Sequence, residues 1–180
     1  MALYRWFARF TPYDVERSAI TVDIENTTDA AFQIRSIEIE KISEGRPLDA
    51  VSIGYPGGGA SRITAVLVNL DESDPIAREI TYGDGVETIA IRPYFEDHVI
   101  DLKPGEIHSL KIVGKTLLGR YRWSASLRIS SPSWKNDKVL PLGEILRTSA
   151  IPEVPYGRDL AWSWFDGPEG ARFRDISDLS

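Results

Sequence analysis

The sequence Glu96-Asp97-His98 is the only place in the chain where a histidine adjoins carboxylates, which makes it the first candidate for acid–base chemistry. Histidine titrates near neutral pH, and a neighbouring carboxylate can orient the imidazole for proton transfer. Adjacent residues of a strand point to opposite faces, however, and no motif places a serine nucleophile or a second histidine beside His98. We therefore interpret this triplet and the separate His108 as surface or edge residues, and we predict no catalytic site.

Two further stretches contain residue types that bind ions. The segment Asp71-Glu72-Ser73-Asp74 offers carboxylates to a hard cation such as calcium, but its spacing is not that of an EF-hand loop. The loop from Tyr55 to Arg62 is rich in glycine, as phosphate-binding loops are, but it lacks their Gly-Lys-Ser/Thr ending. We interpret the first as a solvated acidic turn and the second as an inter-strand loop. We predict neither a metal site nor a cofactor.

Aromatic side chains are the remaining signal, and many of them lie in the last segment, IPEVPYGRDLAWSWFDGPEGARFRDISDLS. Trp, Tyr and Arg dominate binding hot spots, so exposed rings here would anchor a partner. Alternatively, the rings fold back and are buried against the rest of the chain, or a flat Trp platform receives a sugar. The candidate binding residues are Tyr156, Arg158, Trp162, Trp164 and Phe165, together with Tyr55 and Arg62 of the glycine-rich loop.

The charge balance restricts the class of partner. The chain of 180 residues has 27 acidic and 21 basic residues, for a formal net charge of −6. Nucleic acid attracts proteins with concentrated Lys and Arg, so this balance argues against nucleic acid as a partner. A basic protein surface is the better electrostatic match, although solubility alone also accounts for the excess of acid.

The absence of cysteine excludes disulfides, thiol catalysis and thiolate metal sites. The first residues, MALYRWFARF, place Arg5 and Arg9 where a signal peptide would be apolar. No apolar run approaches the roughly 18 residues of a membrane span. We therefore predict no transmembrane segment and a cytoplasmic location.

Alternating hydrophobic residues predict a chain of short strands. Every second residue between Ala19 and Glu25 is apolar, which is the period of a half-buried strand. The apolar residues fall out of step after Ile34, which predicts a β-bulge near Arg35 and Ser36. A helical turn is predicted only around residues 142–146. Further strands are predicted at residues 50–53, 63–70, 86–91, 98–102 and 107–113, and a closing hairpin is predicted to join residues 127–129 to 139–142.

The pattern Leu117-x-Gly119-x-Tyr121-x-Trp123 resembles the Asp-x-Gly-x-Tyr-x-Cys corner of immunoglobulin-like domains. In those domains a tyrosine near the start of a late strand hydrogen-bonds back to the upstream chain; here leucine and tryptophan replace the aspartate and the cysteine. With the strand pattern, the resemblance implies an all-β fold. We predict an antiparallel, immunoglobulin-like β-sandwich over residues 1–150. An irregular, aromatic and acidic C-terminal tail over residues 151–180 would pack on it or extend from it.

These observations predict a non-catalytic protein-interaction module that is an accessory or inhibitory partner of another protein. An exposed edge strand could also pair two copies into a homodimer. The alternative is a carbohydrate- or lipid-headgroup-binding sandwich of the lectin-like or pore-forming type, which would use the same tryptophans. A hydrolase built on Glu96, Asp97 or His98 is the third hypothesis, because folding can assemble catalytic groups from distant strands.

Overall fold

The computed structural model describes residues 13–48, 52–54, 63–83, 86–151, 159–163 and 172–175. Within these residues the chain forms strands and a single helical turn, α1 (Tyr94–Asp97). The strands are β1 (Asp14–Val15), β2 (Arg17–Glu25), β3 (Phe32–Gly45), β4 (Ser52–Gly54), β5 (Thr64–Asn69), β6 (Ala77–Gly83), β7 (Val86–Ile89), β8 (Ile100–Leu102), β9 (Ile107–Lys115), β10 (Arg120–Ser130), β11 (Lys138–Pro141), β12 (Leu146–Ser149), β13 (Asp159–Ser163) and β14 (Arg172–Asp175).

Two sheets contain most of the described strands. The first sheet has the order β1-β12-β10-β3-β8, and β11 pairs with β10 beyond the end of β12. The second sheet has the order β2-β9-β5-β6-β7, and a small third sheet has the order β14-β13-β4. The predicted all-β class is confirmed. The antiparallel prediction fails at three strand pairs, because β1 and β12, β5 and β9, and β4 and β13 run parallel.

The first and second sheets share one hydrophobic core. Strand β10 shows the pattern most clearly, since its residues are alternately buried and partly exposed along its whole length. Alternate residues of a strand point to opposite faces, so one face of β10 lies on the core and the other faces outward. The core takes Ile34, Trp123 and Leu127 from the first sheet and Val66, Leu110 and Ile112 from the second, all of them fully buried.

Trp123 is the largest side chain at the centre of this core. Its indole Nε1 donates hydrogen bonds to Ser18 Oγ at 3.2 Å and Thr148 Oγ1 at 3.0 Å, so the ring ties β10 to β2 and β12. The ring lies directly on Gly114 of β9, where an added Cβ would come within 2.3 Å of Trp123 Cζ2. Position 114 therefore requires glycine, because the indole fills the space that a side chain would need.

Several local predictions are confirmed. Strand β2 contains the predicted strand from Ala19 to Glu25. Arg128 of β10 pairs with Ser36 and the next residue pairs with Ile34, which leaves Arg35 unpaired at the predicted bulge. The closing hairpin also forms, because β10 and β11 are antiparallel across residues 126–129 and 138–141.

The parallel pairing of β5 with β9 has a physical signature in the sequence. Strand β5 is nearly continuously apolar, and Ala65, Val66, Leu67 and Val68 are all buried. Val66 and Val68 belong to the main core, whereas Ala65 and Leu67 form a smaller cluster on the other face of the second sheet. Strands that are buried on both faces have nearly continuous hydrophobic sequences, and such strands are typical of parallel pairing.

Four other local predictions differ from the structure. The helical turn predicted around residues 142–146 is wrong, because this stretch is irregular and leads into β12. A helical turn forms instead at α1, where Glu96 and Asp97 were expected to be extended. Strand β6 was not predicted, and the segment predicted as an irregular tail contains β13 and β14. The division of the chain at residue 150 stays a prediction.

Candidate functional site

Most of the residues predicted to bind a partner lie outside the residues that the structure describes. These are Tyr55, Arg62, Tyr156, Arg158, Trp164 and Phe165. Trp162 falls within strand β13, where its backbone pairs with Phe173 of β14. The aromatic surface therefore stays a prediction, and the candidate site described below is formed by other residues.

The acidic segment that begins at Asp71 has a structural role. Asp71 Oδ1 accepts a hydrogen bond from Thr116 Oγ1, and Asp71 Oδ2 accepts one from the Leu117 amide, each at 2.7 Å. The Gly119 amide donates to Thr116 Oγ1 at 3.0 Å, which closes the turn between β9 and β10. Burial and the nearby carboxylates of Asp71 and Glu44 raise the pKa of Tyr121 to about 12. Asp71 thus stabilises this turn through hydrogen bonds, and the predicted solvated acidic turn is wrong for this residue.

His98 also has a structural role. It follows α1 directly, its ring stacks on Tyr94 with centroids 4.7 Å apart, and its Nδ1 lies 3.1 Å from the Tyr94 carbonyl oxygen. Asp97 forms an ion pair with Arg92 at 3.8 Å, and both side chains are more than half exposed. These contacts involve His98 and Asp97, and within the described chain they place no nucleophile beside the imidazole.

His108 lies near one end of the core. Its Nε2 is buried and has no hydrogen-bond partner within the described part of the chain, and burial lowers the pKa of the imidazole below 6.5. Burial disfavours the charged imidazolium, so it favours the neutral form of His108. Protonation of His108 is therefore linked to the stability of the fold, so the free energy of unfolding should depend on pH.

An open groove lies on the outer face of the first sheet, on the side away from the core. Ser124 and Ser126 of β10 alternate with core residues and therefore point outward, where they form its floor. Glu40 and Glu38 of β3 are in register with them, so two carboxylates lie beside the hydroxyls. We call this cavity of about 490 Å³ the outer groove.

The chain from β11 to β12 forms the opposite wall of the outer groove. Gly143 adopts a left-handed conformation with φ of 77°, which turns the chain at the end of this wall. Val139 and Ile145 are 51% and 44% exposed and supply apolar surface, and Glu144 adds a third carboxylate. The groove therefore combines an acidic side with exposed apolar side chains.

The three carboxylates of the outer groove are not equally compensated. Glu38 forms an ion pair with Arg128. Glu40 accepts only a long hydrogen bond, 3.5 Å from Ser124 Oγ. Glu144 is exposed and forms no hydrogen bond or ion pair within the part of the chain that the structure describes. The groove thus presents two carboxylates that form no ion pair among the described residues, and their charge favours a positively charged ligand.

The described residues contain no group of three His, Asp or Glu side chains arranged to hold a metal ion. No helix among them is long and apolar enough to cross a membrane. No known protein family, curated protein or solved structure matches this chain. The function is therefore inferred from the chemistry of the outer groove.

The outer groove was not identified from the sequence, although the sequence does indicate the polar faces of the two strands that form it. Strand β3 alternates Glu38, Ile39 and Glu40, and β10 alternates serine with apolar residues, so each pattern predicts a polar outer face. The pairing of β3 with β10 and the position of the wall are long-range features that no local pattern contains. The register of two distant strands was needed to bring the carboxylates and hydroxyls together.

Proposed function

We propose that the protein is a non-catalytic interaction module whose outer groove binds an extended, basic segment of another protein. The observation that carries this proposal is the combination of two uncompensated carboxylates, Glu40 and Glu144, with the exposed apolar side chains of Val139 and Ile145. Side chains of an extended segment alternate between two sides. Basic residues of the segment would face the carboxylates, and its apolar residues would face the other wall.

The charge of the whole chain supports a basic ligand. The net charge of −6 attracts a positively charged segment from a distance, and the local carboxylates then fix its position. A nucleic-acid backbone would be repelled by the same groups. The proposal therefore keeps the predicted protein partner and moves its contact from the chain terminus to the outer groove.

The edge of β11 supports binding on the sheet face in preference to strand addition. All four residues of β11 are exposed, and the strand pairs with β10 on one side only among the described strands. Lys138 lies at one end of this edge and Pro141 at the other. Lysine and proline on an edge strand disfavour pairing with a further strand. The homodimer through an edge strand stays a prediction, and this edge does not favour it.

An immunoglobulin-like sandwich is also part of the proposal. In support of it, the Tyr121 ring packs against Gly119, where an added Cβ would lie 2.8 Å from the tyrosine oxygen. Asp71, which lies upstream in the chain, raises the Tyr121 pKa through its charge and a hydrogen bond, so Tyr121 also interacts with the upstream chain. These contacts resemble the tyrosine corner in kind. The parallel pair β5 and β9 departs from the purely antiparallel sheets of that superfamily.

The test is direct binding of labelled extended peptides, measured by fluorescence anisotropy. We expect a peptide of alternating lysine and valine to bind and its glutamate counterpart not to bind. The double variant Glu40→Gln/Glu144→Gln removes the uncompensated charges. Two exposed ion pairs contribute about 0.4–2 kcal/mol, so we expect Kd to rise roughly 2- to 30-fold.

The matched control is Glu25→Gln/Asp29→Asn, which changes the net charge by the same amount at exposed positions away from the groove. The control should bind the basic peptide like the unchanged protein. Equal weakening in both double variants would show that only the overall charge matters, and would remove the outer groove from the proposal. Binding of a neutral oligosaccharide or of lipid vesicles, with no response to the basic peptide, would favour the carbohydrate- or lipid-binding alternative.

A further inference from the structure

A second charged feature lies beside the outer groove on the same sheet face. Arg122 of β10 and Arg147 of β12 are directly opposite one another in the antiparallel register. Their neighbours Trp123 and Thr148 are fully buried in the core, so both arginines start from the outer face. Opposite residues have Cβ atoms about 4.5–5.5 Å apart, and like charges at such positions repel one another.

Neither arginine has an acidic partner among the residues that the structure describes. Arg122 Nε is buried and donates no hydrogen bond to any described residue. No ion pair of the described residues includes Arg122 or Arg147, whereas Arg128 on the same strand is paired with Glu38. Buried polar groups are nearly always hydrogen-bonded, so an unsatisfied Nε–H of Arg122 next to a second cation needs a physical reason. An anionic ligand that bridges the two side chains would supply the missing negative charge.

We propose that Arg122 and Arg147 bind a carboxylate carried by the same partner segment that occupies the outer groove, an inference that rests on the proposed function. Guanidinium groups bind carboxylates through paired, charge-assisted hydrogen bonds. Ser124 and its register partner Glu40 lie two residues along β10 from Arg122, about 7 Å away along the strand. An extended segment would therefore carry its acidic residue about two positions from the basic residue that faces Glu40.

A carboxylate is the anion that the side chains of an unmodified protein segment carry. Glu40 and Glu144 contribute negative charge in the neighbouring groove. A phosphate group carries about −1.5 to −2 charges at neutral pH, so both its attraction to the two arginines and its repulsion from Glu40 and Glu144 would be stronger than those of a carboxylate with a single charge. This face thus presents two arginines and, beside them, two carboxylates. A complementary segment would place an acidic residue against the arginines and a basic residue against the carboxylates.

The experiment compares two extended peptides that differ only in Asp or Asn at the position two residues from a lysine. A charge-assisted hydrogen bond to a guanidinium predicts that the unchanged protein binds the Asp peptide about tenfold more tightly. In Arg147→Gln the two peptides should bind about equally. The control is Arg92→Gln, an exposed arginine in the segment before α1, which should keep the tenfold difference. A difference that persists in Arg147→Gln would overturn the inference.

Two further measurements separate this inference from the proposed function. A phosphoserine peptide that binds more tightly than the Asp peptide would overturn the assignment of a carboxylate. If neither peptide binds, the groove proposal fails, and the arginine pair is then tested alone by titrating acetate and following the Arg122 Nε–H resonance by NMR. A saturable shift that is lost in Arg147→Gln and retained in Glu40→Gln supports the pair, and the absence of such a shift overturns it.

Discussion

Replacing Gly114 by alanine tests the packing that holds the two sheets together. The added Cβ would lie 2.3 Å from Trp123 Cζ2 and 2.6 Å from Trp123 Cε2, far inside van der Waals contact. The ring is held in place, because its Nε1 donates to Ser18 and Thr148 and the side chain is fully buried. The clash must therefore be relieved by displacing the indole or by separating β9 from β10.

Each way of relieving the clash has a cost that can be estimated. Overpacking a core costs about 1–3 kcal/mol. Displacing the indole also leaves its buried N–H without an acceptor, which costs about 1–3 kcal/mol more. We therefore expect Gly114→Ala to lower the free energy of unfolding by about 4 kcal/mol, a large share of the roughly 5–15 kcal/mol of a typical domain. For a chain of this size the melting temperature would fall by about 8–16 °C.

The assay is urea unfolding followed by far-UV circular dichroism, with Gly105→Ala as the control. Gly105 has φ of 78°, but an added Cβ would meet no atom within 4 Å, so the control measures backbone strain alone. That strain should cost about 1–2 kcal/mol. If Gly114→Ala costs no more than this control, the packing argument is refuted.

A double-mutant cycle supplies the second check. Trp123→Phe removes Cζ2, the ring atom nearest to position 114. Gly114→Ala should then cost at least about 1 kcal/mol less in the Trp123→Phe protein than in the unchanged protein, because the two substitutions relieve one another. An equal cost in both backgrounds would contradict the assigned contact, even if the single substitution were severe.

Two predictions concern titrating groups. The pKa of Tyr121, raised to about 12 by burial and by Asp71 and Glu44, should fall in Asp71→Asn when followed by ultraviolet absorbance; an unchanged pKa would contradict the contact. Burial lowers the pKa of folded His108 below 6.5, so the unfolded chain binds the proton first. Stability should therefore fall as pH drops below 6.5 towards the folded pKa. His108→Gln should remove this dependence, and the exposed His98→Gln should leave it in place, as measured by urea midpoints.

The parts of the fold that were predicted correctly depend on local patterns. The bulge at Arg35 followed from a break in the apolar alternation, and the hairpin before β11 followed from turn residues between two apolar runs. The failures have physical causes as well. Strand β6, AREITYG, has weak alternation, and β12 is a short strand whose partners β10 and β1 are distant in sequence. Pairing with distant strands overrode the local tendency towards a turn near residue 142.

The candidate site was less predictable than the fold. Asp71 was noted for its charge, but its function depends on hydrogen bonds to Thr116 and Leu117, which lie 45 and 46 residues later. Arg122 and Arg147 were not singled out, because neither has a charged neighbour in sequence that marks a site. Only the register of β10 with β12 places them opposite each other. Local sequence patterns indicate on which face of the sheet a residue lies. The strand order and register determine which residues are its neighbours on that face.

The bulge in β3 links the core of the protein to its candidate site. Without the extra residue at Arg35, every later side chain of β3 would point to the other face of the sheet. Ile37 and Ile39 would then be exposed, and the carboxylates of Glu38 and Glu40 would point into the core. The bulge that the core requires therefore also turns the two carboxylates into the outer groove. A second irregularity, which leaves Ile42 unpaired between Lys41 and Ser43, ends this stretch. The acidic side of the groove is thus the segment of β3 between two bulges, and its chemistry depends on the packing behind it.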